Sequence, residues 1–271
     1  MKLVFSRKGF DSKYGGMPSP IFPDGRILSL PIPAKKERVT FGDMTFGSLS
    51  VGNLVDELSN GRIVATDTAH LDPDLDRDIV KRGENWVPGF GQVAQAQGHL
   101  ANQGVRPGDL FLYFGWFKKI EQHEGRWRFV RGAPNVHALF GWLRVSEIIH
   151  VGSDVRGAIE RHPGLADHPH CYGDSFQANN TIYIGSDAGR FKLVTDHHVL
   201  TAPGETRSVW RLPRGFLPEG RSPLTCHGDP KRWILDNDEF VRLKTVPIGQ
   251  EFVLDLDEYP DVHDWIDKVM Q

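Results

Sequence analysis

Cysteine is nearly absent from this 271-residue chain, which carries only Cys171 and Cys226. Two thiols cannot build a disulfide framework, and they lack the Cys-x-x-Cys spacing of zinc or redox motifs. They read as reduced thiols in a reducing compartment. Long apolar runs are missing too. The N-terminal run ends at Phe5, far too short for a signal-peptide core. No stretch approaches the ~20 apolar residues of a membrane-spanning helix. The expectation is a cytoplasmic protein with no membrane partner. Several catalytic signatures are also lacking. There is no Gly-x-Ser-x-Gly elbow, no His-Glu-x-x-His and no Gly-x-Gly-x-x-Gly, which disfavours the commonest hydrolase, metalloprotease and dinucleotide-binding readings. Without a Gly-x-x-x-x-Gly-Lys-Ser/Thr loop, an ordinary P-loop kinase is disfavoured as well. Nor is there an excess of positive charge: the formal net charge is −3. Contact with DNA would need a local basic patch rather than a global field.

What is present is a core. The hydrophobic fraction is 39%, with 7 Trp and 16 Phe, enough for one elaborated domain over residues 1–271 or two tightly joined lobes. Strands are expected at Lys2 to Phe5, Arg62 to Thr66, Asp109 to Phe117, Trp127 to Arg131, Ala138 to Ile149 and Glu251 to Leu256. In the fifth of these, alternation sets Leu139, Gly141, Leu143 and Val145 against Phe140, Trp142, Arg144 and Ser146. Thr181 to Ile184 and Arg190 to Val194 read as a hairpin across Gly185 to Gly189. Helices are expected at Asn53 to Asn60, Gly91 to Gln103 and Val262 to Met270. Strands outnumber helices and mostly follow one another. That order predicts an α+β fold around a mixed, largely antiparallel, twisted sheet. The Gly- and Pro-rich segment from Phe10 to Pro33 is too long for an idle loop.

Three constellations could carry chemistry. Ser6-Arg7-Lys8-Gly9 offers a phosphate two cations, a hydroxyl and glycine-relaxed N–H groups, with Asp11, Ser12, Gly15 and Gly16 following. Its bland alternative is a solvated turn. His70-x-Asp72 has the spacing of two ligands of a two-histidine-one-carboxylate metal site, with His168, His170, His197 or His198 as the distal partner. Here the bland alternative is a turn initiated by Asp72-Pro73. His168-Pro169-His170-Cys171 gathers further candidate ligands, or is a polar loop. Iron, zinc and manganese are the candidate ions. Among the aromatics, Trp116 and Trp142 could stack on a base. Arg126, Arg128 and Arg131 around Trp127, with Lys118 and Lys119, form the one basic-aromatic patch. Strand aromatics more often fill the core.

The N-terminal blocks Phe5-Ser6-Arg7-Lys8-Gly9-Phe10-Asp11-Ser12, Gly15-Gly16, Pro18-Ser19-Pro20 and Ser29-Leu30-Pro31-Ile32-Pro33 resemble the nucleotide modification associated domain 3 family. So do His70 to Leu75, Gly108 to Phe117, His168-Pro169-His170 and Asn179 to Tyr183. The resemblance spans most of the chain. It implies a phage or bacterial protein tied to hypermodified DNA bases, with DNA or a nucleotide as partner. A second resemblance, from Val105 to Leu110 and from Phe140 to Val145, is similar to PUA-like barrels of the EVE type and implies a small barrel at the centre. The first functional expectation is an enzyme of DNA or nucleotide base hypermodification. In it Ser6, Arg7 and Lys8 hold phosphate, while Asp11, His70 and Asp72 sit at the reacting centre. A non-catalytic reader of modified bases, using Trp116 and Trp142, is the alternative. A nuclease directed at modified DNA is the third.

Overall fold

Apolar runs bounded by turns become strands, and short amphipathic segments become helices. The computed structural model describes the whole chain except residues 173–176, 248 and 250. In chain order the strands begin with β1 (Lys2–Arg7), β2 (Ser19–Ile21), β3 (Ile32–Pro33), β4 (Thr45–Phe46) and β5 (Leu49–Ser50). After helix α1 (Val51–Ser59) come β6 (Ala69–His70) and β7 (Gly89–Gln92), then helix α2 (Ala94–Asn102). The long strands β8 (Leu110–His123), β9 (Arg126–Phe129) and β10 (Val136–His150) follow, then α3 (Val155–Arg161) and β11 (Thr181–Arg190). The chain ends with β12 (Val209–Pro213), β13 (Trp233–Leu235), β14 (Phe240–Lys244), β15 (Glu251–Asp255) and α4 (Val262–Met270).

The main sheet runs β15-β1-β8-β10-β11-β7, with β2 and β9 on the far half of β8. Only β1–β8 and β2–β8 are parallel; the other pairs in the sheet are antiparallel. The fold is therefore α+β on a mixed, largely antiparallel sheet. It is strongly curled. Gln92 on β7 donates through Nε2 to Glu251 Oε1 on β15 at 2.7 Å, so the two ends of the strand order meet through side chains. The barrel expected at the centre takes the form of a half-barrel. The face carrying Gln92 and Glu251 is its inside.

That inner face is packed with Val4, Phe90, Phe111, Tyr113, Tyr183 and Val253, and α2 adds Leu100. The outer face (Leu3, Phe5, Leu112, Phe114, Phe252) packs on the small sheet β12-β14-β13 and on α4 through Trp210, Leu243 and Trp265. A third cluster joins α1 to the N-terminal loops around Phe10, Phe41 and Leu54.

Four local expectations are corrected. Thr181 to Val194 is not a hairpin, because β11 runs straight from Thr181 to Arg190. Gly185 and Gly189 are absent from the positive-φ residues, and they serve close approach instead: a Cβ on either would press on Leu143 or Trp142 of β10. In β10, Leu139 faces the outer core while Leu143 and Val145 face the inner one. A register break between Leu139 and Gly141 inserts one residue and flips the alternation. Arg62 to Thr66 is a turn, closed by the Asp67 carboxylate accepting from the Val64 N–H at 2.8 Å. The helix expected from Gly91 begins only at Ala94, since Gly89–Gln92 pairs with β11.

The turn after α1 starts at Asn60, which caps the helix in the left-handed region at φ 54°. Asn tolerates this conformation, whereas a β-branched residue pays about 1 kcal/mol or more. Asn60→Val is expected to lower unfolding stability by about that amount in urea titrations, while Asn60→Gly is expected to hold it or raise it.

Candidate metal centre

His70 is delivered by the two-residue ladder in which β6 pairs antiparallel with β3, Ile32 opposite His70. The chain then turns at a cis peptide between Asp72 and Pro73. His168 and His170 arrive on a 3₁₀ turn, Pro169–Cys171, that packs against β7. Among the described residues these segments bring together one group able to hold a metal. Ligand atoms of His70, Asp72 and His170 lie within 4.8 Å of one another.

Each ligand is held from behind. Glu37 Oε1 lies 2.8 Å from His70 Nδ1, and Asn180 Oδ1 lies 2.7 Å from His170 Nδ1. Asn180 is itself fixed, donating from Nδ2 to the His170 carbonyl at 2.9 Å. A carboxylate and an amide oxygen accept only, so both imidazoles carry their proton on Nδ1 and leave Nε2 available to a metal. Asp72 Oδ1 accepts the Gly91 N–H at 2.7 Å, which orients the carboxylate.

His168 differs. Its Nδ1 accepts the backbone N–H of His170 at 3.2 Å, so the neutral ring carries its proton on Nε2, which faces Asp72 Oδ1 at 3.5 Å. Burial pushes the His168 imidazole down to about 3, against the pull of Asp72. His168 is thus a neutral ring that borders the carboxylate rather than a free ligand. Burial also lowers His170. For His70 burial acts downwards as well, but the Glu37 hydrogen bond and the Asp72 and Glu37 charges outweigh it and raise the ring above its ordinary value.

The remaining sequence candidates are dispersed. Strand alternation sends Ser6 and Lys8 to the inner face and Arg7 away from it. Lys8 Nζ pairs with Glu251 Oε1 at 3.0 Å and sits 4.4 Å above the Phe90 ring. Arg7 instead donates to the Gly249 carbonyl and, at 3.4 Å, to that of Pro247. The three side chains therefore do not converge as a cradle. Asp11 builds its own turn, its Oδ1 accepting from Lys13 and Tyr14 N–H groups at 2.7 and 2.6 Å. Ser12 is exposed on that turn, and Gly15 and Gly16 supply its positive φ angles. Trp116 and Trp142 lie on the outer face. Trp116 donates to Asn135 at 2.8 Å and is covered by Arg207 at 4.0 Å, while Trp142 packs on Phe191 with centroids 5.0 Å apart. Two supporting residues escaped the sequence reading. Glu37 carried no signal at all, whereas Asn180 sits inside a block shared with the family.

Beside Asp72 a cleft runs between Leu28, Leu71, Pro73, Phe140 and Arg190, with Gly9 at its edge. No helix is long and apolar enough to cross a membrane. No curated protein and no solved structure matches the chain. One family does, described as nucleotide modification associated domain 3, and it matches residues 2–255. The blocks singled out from Phe5 to Tyr183 all fall within that match, and the chain belongs to the nucleotide modification associated domain 3 family.

Proposed function

We propose that this protein is a metal-dependent enzyme that modifies a DNA base or nucleotide, in a phage or bacterial setting of base hypermodification. The observation that carries the reading is the triad of His70, Asp72 and His170, with both histidines tethered through Nδ1. Family membership supplies the substrate class.

Two imidazoles and one carboxylate form the donor set of non-haem iron(II) sites, so iron is the ion expected, ahead of zinc or manganese. Such an ion supplies open coordination positions at which substrate or water is activated. The protein's share is positioning. Glu37 and Asn180 fix the two rings, and the Gly91 N–H fixes the Asp72 carboxylate, with the His168 ring beside it. A reader that stacks a base on aromatics is less well supported, since Trp116 and Trp142 lie on the outer face and are engaged elsewhere.

Metal analysis of protein purified without chelators tests the reading. Near-stoichiometric iron is expected in the parent protein, and its loss in His70→Ala, Asp72→Ala and His170→Ala. His168→Gln is expected to keep the ion with an affinity about 10–100-fold lower, as for other residues behind a metal ligand. Zinc in place of iron would redirect the chemistry to hydrolysis. Absence of any ion from the parent protein, even after reconstitution with each metal, would sink the proposal. Nucleoside mass spectrometry of DNA and nucleotides incubated with the loaded protein then identifies the product.

A further inference from the structure

Two adjoining cavities, of about 350 and 430 Å³, lie open to solvent beside the metal centre. They share Asp43, Val80, Lys81 and Arg82 and so form one groove, with Arg38 in the first part and Arg77 in the second. Its lining residues are chain neighbours of those that build the centre. Arg38 follows Glu37, whose Oε1 lies 2.8 Å from His70 Nδ1. The Val39 carbonyl accepts at 2.9 Å from the N–H of Ala69, the residue before His70. Asp167 precedes His168, and Arg82 pairs with Asp74, which stands two residues after Asp72. The groove therefore borders every segment that supplies the centre.

Much of its charge is uncommitted. Arg82 is the exception, with a side chain only 4% exposed and paired with Asp74, although its Nε has no partner among the described residues. Arg38, Arg77 and Lys81 are exposed, and none of them meets a carboxylate among the described residues. Arg38 sits 4.4 Å above the Tyr172 ring and donates to the Ala166 carbonyl at 3.3 Å. Arg77 donates to the Gly83 carbonyl at 3.3 Å. The acids differ among themselves. Asp43 is engaged, its Oδ2 accepting from the Thr40 N–H and hydroxyl at 2.8 and 2.7 Å. The carboxylates of Asp78 and Asp167 have no partner among the described residues.

Donors and acceptors set what such a groove can hold. Guanidinium and ammonium groups only donate, and phosphate oxygens are their strongest common partners. Ionised carboxylates only accept, so they repel phosphate but bind hydroxyls. Inorganic phosphate would satisfy the three cations and be opposed by Asp78 and Asp167. A nucleotide serves both sets, with phosphate oxygens for the cations and sugar hydroxyls for the carboxylates. The interior of a DNA strand has no free sugar hydroxyl, and its repeated phosphates call for a basic track that carboxylates do not interrupt. The volumes are those of small-molecule sites.

We infer that this groove seats the sugar and phosphate of a free nucleotide, through Arg38, Lys81 and Arg77 with Asp78 and Asp167, and presents its base to the His70–Asp72–His170 centre. The inference deepens the proposed function and rests on it for the reacting end only. It supplies the phosphate site that Ser6, Arg7 and Lys8, whose side chains diverge, do not.

The test is equilibrium binding to the purified full-length protein. The probes are the four deoxynucleoside monophosphates, their nucleosides, inorganic phosphate and a short mixed-sequence single strand. At least one monophosphate is expected to bind, with its nucleoside, inorganic phosphate and the strand each at least tenfold weaker. Arg38→Gln, Lys81→Gln and Arg77→Gln change exposed side chains, so the urea midpoint and the metal content are expected to hold. Each is expected to weaken the nucleotide at least threefold. Asp78→Ala combined with Asp167→Ala is expected to weaken the nucleotide as well, but to tighten inorganic phosphate. A nucleoside that binds as tightly as its monophosphate, no nucleotide binding, or unchanged affinity in the three cation variants would overturn the inference. So would a strand that binds more tightly than any monophosphate, which would assign the groove to DNA. Metal analysis of the same samples separates the two readings. Nucleotide binding that depends on the groove in protein without metal retains the groove and removes the centre, whereas metal without nucleotide binding does the reverse.

Discussion

Gly91→Ala is expected to cost at least 100-fold in metal affinity while leaving the fold in place. A Cβ at this position would land on the His170 imidazole, within contact distance of Cδ2 and Cγ and 2.7 Å from Nδ1. His170 cannot yield without breaking the 2.7 Å contact to Asn180 that fixes its Nδ1. The Gly91 N–H to Asp72 survives in an alanine, so the damage falls on one ligand alone. Overpacking of one methyl group costs about 1–3 kcal/mol of stability, which a folded domain can absorb. Gly89→Ala is the matched control. A Cβ there would meet His168 at 3.4 Å and Ile182 at 3.5 Å, ordinary packing distances, and metal binding should be close to that of the parent. Competition with a chelator of known affinity reads both variants. If Gly91→Ala binds as tightly as the parent, His170 is not a ligand.

Acidification from pH 7 to pH 5 is expected to remove about 4 kcal/mol of unfolding stability through two histidines outside the candidate metal centre. His137 accepts the Trp210 indole N–H on Nδ1 at 3.0 Å. Burial, aided by the Arg7 and Arg207 charges, pushes it down to about 3. His227 accepts the Val246 N–H on Nε2 at 3.2 Å, and its Nδ1 lies 2.9 Å from the Thr225 carbonyl. Burial pushes it down to about 4. An unfolded histidine titrates near 6.5, so below that pH the unfolded chain binds more protons than the folded one. Stability therefore falls from about pH 6.5 downwards, until each folded ring protonates. At pH 5 the gap is about 1.5 pH units, or about 2 kcal/mol for each ring. His137→Gln keeps an acceptor for Trp210 and cannot charge. Urea midpoints at pH 7 and pH 5 should therefore differ by about 2 kcal/mol less in this variant than in the parent. An unchanged difference would mean that His137 titrates normally in the folded protein.

Elements with strong, uninterrupted patterns were legible from the sequence. The aromatic run after Pro107-Gly108 is β8, and Val262–Met270 forms a helix as expected. Errors arose where tertiary packing overrode a local signal. Gly185 and Gly189 look like a turn, but they are glycines so that β10 can lie close. Phe140 and Trp142 lie on opposite faces because one inserted residue shifts the register of β10, which no periodicity in β10 alone reveals. The candidate site divides in the same way. His70 and Asp72 could be singled out by spacing. Assigning different roles to His168 and His170 needed the ring nitrogen each presents, and that depends on one backbone N–H. The cross-strand row of Glu251, Ser6 and Tyr113 in the core was invisible, since its members lie up to 245 residues apart and meet only through strand register.

That row has a consequence for how the protein comes into being. Strand β1 is completed on one side by β15, far along the sequence, with Lys2 opposite Asp255 and Ser6 opposite Glu251. Closing a loop between strands so distant in sequence costs entropy before any contact repays it, and such topologies fold slowly. A nascent chain still on the ribosome holds His70, Asp72 and His170 before β15 has emerged, but it cannot yet complete the main sheet. That edge of β1 stays unpaired until β15 emerges. In this architecture the strand that completes one side of β1 is the latest of the main sheet's strands to be made.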